Sequence, residues 1–228
     1  MPFTTPALPF APQKDVTLVS SPPRLSPSDA VDLQIHTIYS DGHWQPEELF
    51  DYLAGAGFRA VAITDHDRVD ASGELRTLGA ARSIAVIPGV EVTTIWRGWS
   101  AHLLSYAADP TALAAGELAR LTAATVQAQL ENTYAVYDAL RARGYDFSRQ
   151  AEVLAANGGQ LTRPIDNARL LQAHGLAVDR ASALALIAEA GYRSMAAPLV
   201  EAVAAAHADG ALAILAHPGR GGGEVHRY

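Results

Sequence analysis

The sequence predicts a parallel α/β fold that carries a helical insertion. In the first half of the chain, short apolar segments alternate with helical patterns, which is the rhythm of β-α-β units. From about residue 107 to residue 194, alanine and leucine dominate and the periodicity becomes helical. We therefore divide the chain into a proline-rich extension (residues 1–30), a discontinuous α/β unit (residues 31–106 and 195–228) and a helical insertion subdomain (residues 107–194).

The apolar segments define the predicted strands. The segment Arg59–Thr64 is almost entirely apolar, which is typical of a strand buried on both faces of a parallel sheet. The predicted strands in chain order are Val31–His36, Arg59–Thr64, Ile84–Pro88, His102–Tyr106 and Ala211–Ala216. We expect the last of these (ALAILA) to be a buried strand as well.

Helices are predicted between these strands. Pro46 suits the first turn of a helix that ends at Gly57. Further helices are expected at Glu74–Arg82 and Ala196–Ala208, and a long helix opens the insertion. The apolar stripe predicted for that long helix consists of Leu118, Leu121, Val126, Leu130 and Tyr134.

Composition excludes several classes of function. The 228 residues carry a net charge of −7 without a basic run, which argues against a protein that grips the phosphate backbone of long duplex nucleic acid. The absence of cysteine excludes disulfides, thiolate nucleophiles and Cys-ligated zinc. No apolar run approaches the ~18 residues of a membrane span, and the N-terminus does not resemble a signal peptide. We expect a cytoplasmic protein without a membrane partner.

The segment Val31–Gly42 (VDLQIHTIYSDG) joins an apolar strand to a polar loop. Asp32, Gln34 and His36 share one face of this strand because side chains alternate with a period of two. Buried polar groups are costly unless they are satisfied. A metal site and a hydrogen-bonded core network both meet that requirement.

Possible metal ligands recur at the boundaries of the predicted strands. In parallel α/β folds, functional groups gather at the carboxyl ends of the strands. Imidazoles and carboxylates without thiols suit Zn, Mn or Fe rather than a calcium cage. Glu91 is placed to bridge two ions. The candidates that end or follow a strand are His36 with Asp41, His66, Glu91 and His217, and His102 opens the remaining strand.

The motifs VDLQIHTIYSDG, AITDHD, VIPGVEVTT, AHLLSY and AHPGR resemble the successive motifs of the PHP (polymerase and histidinol phosphatase) family. The run WQPEELFDYLAGAGFRAVAITDHD is similar to the TrpH-like branch of that family. The resemblance implies a distorted (β/α)7 barrel, a centre of two or three divalent ions, and metal-dependent hydrolysis of phosphoesters.

The resemblance also implies roles for individual residues. Arg163, in Thr162-Arg163-Pro164, and Arg220 are expected to face substrate phosphate, and His66 or Asp65 to handle protons. The implied metal ligands are His36, Asp41, His66, Glu91, His102 and His217, and Gln34 stands at the position of a seventh.

The sequence departs from the family pattern at three places. Gln34 stands where the opening motif normally has a histidine, and Ile165 and Asp166 stand where the insertion motif has one. The late Asp-x-His pair of the family has no counterpart, so we expect the chain to be shorter than the natural fold.

Three hypotheses follow. The first, which we favour, is a phosphoesterase that uses metal-activated water on a phosphate ester of a nucleotide or short oligonucleotide. The second, motivated by Gln34 and the replaced insertion histidine, is a degenerate, non-catalytic relative that binds a nucleotide or a protein partner. The third is a purely structural hydrogen-bonded network at the strand ends.

Overall fold

A computed structural model describes residues 24–218 of the chain. Most of the predicted proline-rich extension, together with Arg220 and the C-terminal tail, lies outside these residues. The strands are β1 (Ala30–Ile35), β2 (Phe58–Ile63), β3 (Ala85–Val86), β4 (Gly89–Trp96), β5 (Trp99–Tyr106), β6 (Ala197–Pro198) and β7 (Leu212–Leu215). The helices are α1 (Pro46–Gly55), α2 (Ser72–Ala81), α3 (Pro110–Ala115), α4 (Glu117–Ala142), α5 (Gln150–Val153), α6 (Pro164–Ala173), α7 (Arg180–Glu189) and α8 (Leu199–Ala208), with a 3-10 turn at Ala155–Asn157.

The first sheet is parallel and has the strand order β1-β2-β3. Helices α1 and α2 connect its strands and bury their apolar faces in one core. Phe50, Val61 and Leu75 are buried in this core, as the alternation of apolar strands and amphipathic helices predicts.

The second sheet is mixed and has the order β6-β4-β5-β7. Strands β4 and β5 form an antiparallel hairpin, β5 pairs antiparallel with β7, and β4 pairs parallel with β6. The hairpin turns at Arg97 and Gly98, whose φ angles are 48° and 85°. Positive φ at both central residues is the geometry of a tight hairpin whose twist matches its strands.

The two sheets meet at Glu91. Its N–H donates to the carbonyl of Thr64 at 3.2 Å, and its carbonyl accepts from the N–H of Asp67 at 3.0 Å. The Tyr106 hydroxyl donates to the carbonyl of Leu33 at 2.7 Å, which ties β5 to β1. The loop that follows β2 is thereby held against the start of β4.

The helical region between β5 and β6 has a core of its own, to which α4, α6 and α7 contribute. The first turn of α4 belongs instead to the core of the second sheet, through Leu118. Asp209, which follows α8, accepts the N–H groups of Glu117 and Leu118 at 2.8 Å each and so caps α4. The proposed boundary at residue 107 stays a prediction, since α4 serves both cores.

The hairpin corrects our expectation of a wholly parallel sheet. Glu91 lies within β4 rather than after a strand, and His102 lies in the middle of β5 rather than at its start. The reason is that Gly89-Val90-Glu91 does not end a strand but begins an extended segment of eight residues.

Two further expectations are wrong. Strand β7 is not buried, since Leu212 and Ile214 are 59% and 44% exposed at the edge of the second sheet. The buried face of α4 also differs from the predicted stripe, because Val126 and Tyr134 are partly exposed. Three threonines are buried in their place and donate their hydroxyls to carbonyls one turn back, which removes the cost of burying them. They are Thr122, Thr125 and Thr133.

The two sheets are open, and no closed barrel forms within residues 24–218. None of the helices in that range is long and apolar enough to cross a membrane.

Candidate metal centre

The carboxylate of Glu91 is the centre of the candidate site. Glu91 is fully buried, and each of its oxygens has two nitrogen partners. Oε2 accepts from Nε2 of Gln34 at 2.6 Å and lies 2.9 Å from Nε2 of His36. Oε1 lies 2.7 Å from Nδ1 of His102 and 3.0 Å from Nε2 of His217. Separate segments of the chain therefore converge on one side chain.

Two groups of possible metal ligands share this carboxylate. The loop triplet is His36, His66 and Glu91, and the hairpin triplet is Glu91, His102 and His217. Within each triplet the ligand atoms lie within 4.8 Å of one another. The ring centroids of His36 and His66, and those of His66 and His102, are 4.7 Å apart, so the imidazoles form a continuous row.

Asp41 lies beside the loop triplet at the exposed rim. Its Oδ1 is 2.6 Å from Nδ1 of His36, and its Oδ2 is 3.9 Å from Nε2 of His66. The Asp41 side chain is 67% exposed, in contrast to the buried Glu91. Asp41 thus offers a second oxygen donor, open to solvent, beside the three residues of the loop triplet.

Electrostatics couples these groups strongly. Burial alone would lower the pKa of His36, but hydrogen bonds to Glu91 and Asp41 outweigh it and raise the pKa to about 9. Burial alone would raise the pKa of Glu91, but His102 and His36 hold it far below its usual range. Burial lowers the pKa of His66, which keeps this imidazole neutral near pH 7.

The donor set fits divalent transition-metal ions. Neutral imidazole and carboxylate are the ligands that zinc, manganese and iron use in proteins. Nδ1 of His66 is buried and has no hydrogen-bond partner within residues 24–218, which is costly unless something binds it. The hydrogen bonds among residues 24–218 leave that nitrogen unsatisfied, whereas an ion bound at Nδ1 would satisfy it.

The other described candidates, Asp65 and Arg163, have no hydrogen bond to this cluster. Asp65 is buried and faces Thr37 and Ser40 rather than the imidazoles. Arg163 precedes α6, where its N–H donates to the buried Asp166 at 3.0 Å, and no described contact joins it to the cluster. Arg220 lies outside the described residues.

Sequence reasoning missed one functional contact of Asp65. The hydroxyl of Thr37 donates to Oδ2 of Asp65 at 2.7 Å, and this threonine is fully buried. The sequence does contain a signal for this contact, because two hydroxyl residues, Thr37 and Ser40, lie next to the candidate ligands His36 and Asp41.

Comparison with known proteins places these observations in a family. The model of the PHP domain matches residues 32–151, more than half of the chain. The chain therefore belongs to the PHP domain family, as its motifs predicted.

Its relatives are phosphoesterases. The chain is 36% identical over 88 residues to the 3',5'-nucleoside bisphosphate phosphatase of Chromobacterium violaceum, a match that covers 38% of this chain and 31% of the relative. It is 28% identical over 195 residues to the 5'-3' exoribonuclease Rnm of Salmonella typhimurium, covering 83% of this chain and 65% of the relative. The matched regions thus span less than two thirds of either relative.

A solved structure supports the fold. A protein from Bifidobacterium adolescentis superposes with a TM-score of 0.68 at 23% identity, covering 85% of this chain and 68% of that one. At this identity the likeness shows a shared mixed α/β fold.

Proposed function

We propose that this chain is a metal-dependent phosphoesterase that hydrolyses a phosphate ester of a nucleotide or a short oligonucleotide. The observation that carries the proposal is the sharing of Glu91 between two triplets of ligand atoms. A carboxylate that offers one oxygen to each of two sites is the arrangement expected of a bridging ligand.

The distances within the cluster support a division of the ligands between two ions. His36 and His66, with Asp41 at the rim, would hold one divalent ion against Oε2 of Glu91. His102 and His217 would hold a second ion against Oε1. We therefore favour two ions of manganese, zinc or iron over three.

A pair of such ions supplies Lewis-acid activation of water and neutralises the charge of the phosphate. The side chains of the protein determine the position and the charge state of the ligands. The depressed pKa of Glu91 keeps its carboxylate ionised, and the lowered pKa of His66 keeps its imidazole free to accept a proton or a metal. From the family resemblance we propose that Arg163 and Arg220 bind the phosphate oxygens, since a guanidinium binds them with two hydrogen bonds.

The substrate class is proposed from the relatives. The names of the two relatives describe a nucleoside bisphosphate phosphatase and an exoribonuclease, and both kinds of substrate are phosphate esters of nucleotides. The net charge of −7 argues against a long duplex as the substrate. The family also implies that the two open sheets are part of a distorted (β/α)7 barrel, which stays a proposal.

The test combines elemental analysis with a phosphatase panel. We expect purified protein to hold about two equivalents of metal and to release phosphate from nucleotides in a reaction that EDTA abolishes. The double variant Glu91→Ala, His217→Ala should lose both metal and activity. The matched control is Glu201→Ala, His207→Ala, which removes an exposed glutamate and an exposed histidine of α8. Undiminished hydrolysis by the first double variant would refute the metal mechanism.

A second function is favoured by one contact. The amide Nε2 of Gln34 occupies a position 2.6 Å from Oε2 of Glu91, where a metal ligand of the family would otherwise stand. The alternative is therefore a non-catalytic relative that binds a nucleotide or a protein partner. Less than one equivalent of metal, together with no hydrolysis across the panel, would establish this alternative over the enzyme.

A further inference from the structure

The carboxylate of Asp65 is fully engaged by the loop that follows β1. Its Oδ1 accepts from the N–H of Thr37 at 2.8 Å and from the hydroxyl of Ser40 at 2.6 Å. Its Oδ2 accepts from the hydroxyl of Thr37 at 2.7 Å. All three residues are buried, so these bonds are not shared with water.

The two anchored residues are sequence neighbours of two proposed metal ligands. Thr37 follows His36, and Ser40 precedes Asp41. The carbonyl of Thr37 also accepts the N–H groups of Ser40 and Gly42, at 3.2 and 2.9 Å, which closes the loop into a tight turn. Fixing Thr37 and Ser40 therefore fixes both ligands relative to each other.

The outer side of the same loop has a separate anchor. The hydroxyl of Tyr39 donates to Oε1 of Glu74 on α2 at 2.8 Å. That contact ties the middle of the loop to α2. Asp65 instead binds Thr37 and Ser40, near the two ends of the loop, from the interior of the protein. The interior contact, through Asp65, is the one that determines the positions of His36 and Asp41.

We propose that Asp65 is a positioning residue that holds His36, and Asp41 beside it, in place at the loop triplet, and that it does not transfer protons. The inference rests on the proposed metal centre and replaces the proton-handling role that the sequence suggested for Asp65. Three donors already occupy the carboxylate, and none of them is an imidazole.

Two substitutions at this position separate positioning from proton transfer. In Asp65→Asn, the amide oxygen still accepts from Thr37 and Ser40, and the amide nitrogen donates to the Thr37 hydroxyl, which is able to accept. In Asp65→Ala, the three donors lose their acceptor. Positioning therefore survives the first change and fails in the second, whereas a proton-transfer role fails in both.

The measurement is calorimetric titration of EDTA-stripped full-length protein with Mn²⁺, followed by steady-state kinetics. We expect Asp65→Ala to weaken one of two Mn²⁺ sites by about 10- to 100-fold, the usual cost of removing a residue that orients a ligand. The second site, at His102 and His217, should keep its affinity. Asp65→Asn should stay within about threefold of the parent in Mn²⁺ affinity and retain the pH–rate profile. A general loss of stability in Asp65→Ala would weaken both Mn²⁺ sites rather than one of them.

Further variants keep the inference falsifiable if Asp65→Ala fails to fold. Thr37→Val removes one hydroxyl donor at almost constant volume and should weaken the same Mn²⁺ site, by less than Asp65→Ala. The control, Asp51→Ala, removes an exposed carboxylate that pairs with Arg82 and should change neither site.

Three results would contradict the inference. Unchanged Mn²⁺ affinity in Asp65→Ala and Thr37→Val would overturn positioning while leaving the metal centre intact. Normal Mn²⁺ binding with lost turnover in Asp65→Asn would restore the proton-transfer role. Parent protein that binds no Mn²⁺ would overturn both this inference and the proposed function.

Discussion

The two triplets of the candidate metal centre differ in how the chain supports them. In the loop triplet, His36 and His66 follow parallel strands, and side-chain hydrogen bonds hold the loop that includes Asp41. In the hairpin triplet, His102 lies within β5, whose backbone pairs with β4 from one end to the other. His217 follows Ala216, whose N–H donates to the carbonyl of His102 at 2.9 Å. Backbone pairing therefore fixes the hairpin triplet. In the loop triplet, backbone bonds hold His66 against β4, whereas the loop from His36 to Asp41 depends on side-chain bonds as well.

This difference predicts two ion sites with different tolerance to change. The loop triplet has Asp41 as an additional, exposed donor, and its geometry depends on a loop. The hairpin triplet has a rigid scaffold, but Glu91 is the only carboxylate in this group of ligand atoms among residues 24–218. Substitutions in the loop should affect one ion, whereas loss of a hairpin ligand should be harder to compensate.

Removing one imidazole from each triplet should give the largest effects. We expect His217→Ala and His66→Ala each to lower kcat/KM by about 1000-fold, because several kcal/mol of charge stabilisation are lost with an ion. Excess Mn²⁺ should partly restore His66→Ala, which keeps His36 and Asp41, and should not restore His217→Ala. Metal content and activity at rising Mn²⁺ concentration provide the measurement.

The matched control for both variants is His207→Ala, which removes an exposed histidine of α8. If both site variants retained two ions, the assignment of one triplet to each ion would be wrong.

Proton competition should set the pH dependence of the loop triplet. Without metal, the pKa of His36 is raised to about 9, so this imidazole is protonated at pH 7 and an ion must displace the proton. Apparent ion affinity at this triplet should therefore rise by about 100-fold between pH 7 and pH 9, tenfold per pH unit. Titrations with Mn²⁺ across this range measure it, and a flat profile would contradict the raised pKa.

The stability of the metal-free protein should change in the opposite direction. A pKa raised from 6.5 to about 9 contributes stability that is fully present below pH 6.5 and is lost as pH rises through 9. The contribution is on the order of 3 kcal/mol at most. Urea unfolding of EDTA-treated protein at pH 6.5 and pH 9 should show the loss, and His36→Ala should abolish the difference.

A glycine tests how closely the loop is fitted. A Cβ at Gly42 would overlap the backbone carbonyl of His36, so Gly42→Ala must displace the loop. We expect about tenfold weaker binding of the loop ion, at the lower end of the cost of misplacing a ligand. Gly55→Ala in α1 is the control, because a Cβ there meets nothing within 4 Å. Equal ion affinity in both variants would show that the loop adapts.

The loop triplet is easier to predict from sequence than the hairpin triplet. The strands before His36 and His66 are predicted to within one residue at each end, since each is an apolar segment that ends in a polar cluster. The hairpin has no comparable local signal, because Gly89 indicates a loop, whereas in the structure it begins β4 and Gly98 forms the turn. Its antiparallel pairing depends on contacts between segments that no local pattern reports.

The role of Asp65 illustrates a second limit. The phosphoesterase hypothesis gave His66 or Asp65 a role in proton transfer, but the contacts of Asp65 are with Thr37 and Ser40, which lie 28 and 25 residues away in sequence. The direction of a side chain in a strand-end loop depends on local turns rather than on period two. The cluster of possible metal ligands could therefore be predicted from sequence. The hydrogen bonds of Asp65 that hold the loop in place could not.

The smallest expected effect concerns Gln34, which lies on the loop side of Glu91. Its amide N–H donates to Oε2 of Glu91. A histidine at this position would instead offer an imidazole nitrogen to a metal ion. If position 34 is a metal position that the protein has lost, Gln34→His should add up to about one equivalent of metal and change the rate by no more than a few-fold. Elemental analysis beside kcat measures both quantities, and Gln127→His on the exposed face of α4 is the control. Metal content and rate that match the parent would show instead that Gln34 serves only to orient the shared carboxylate.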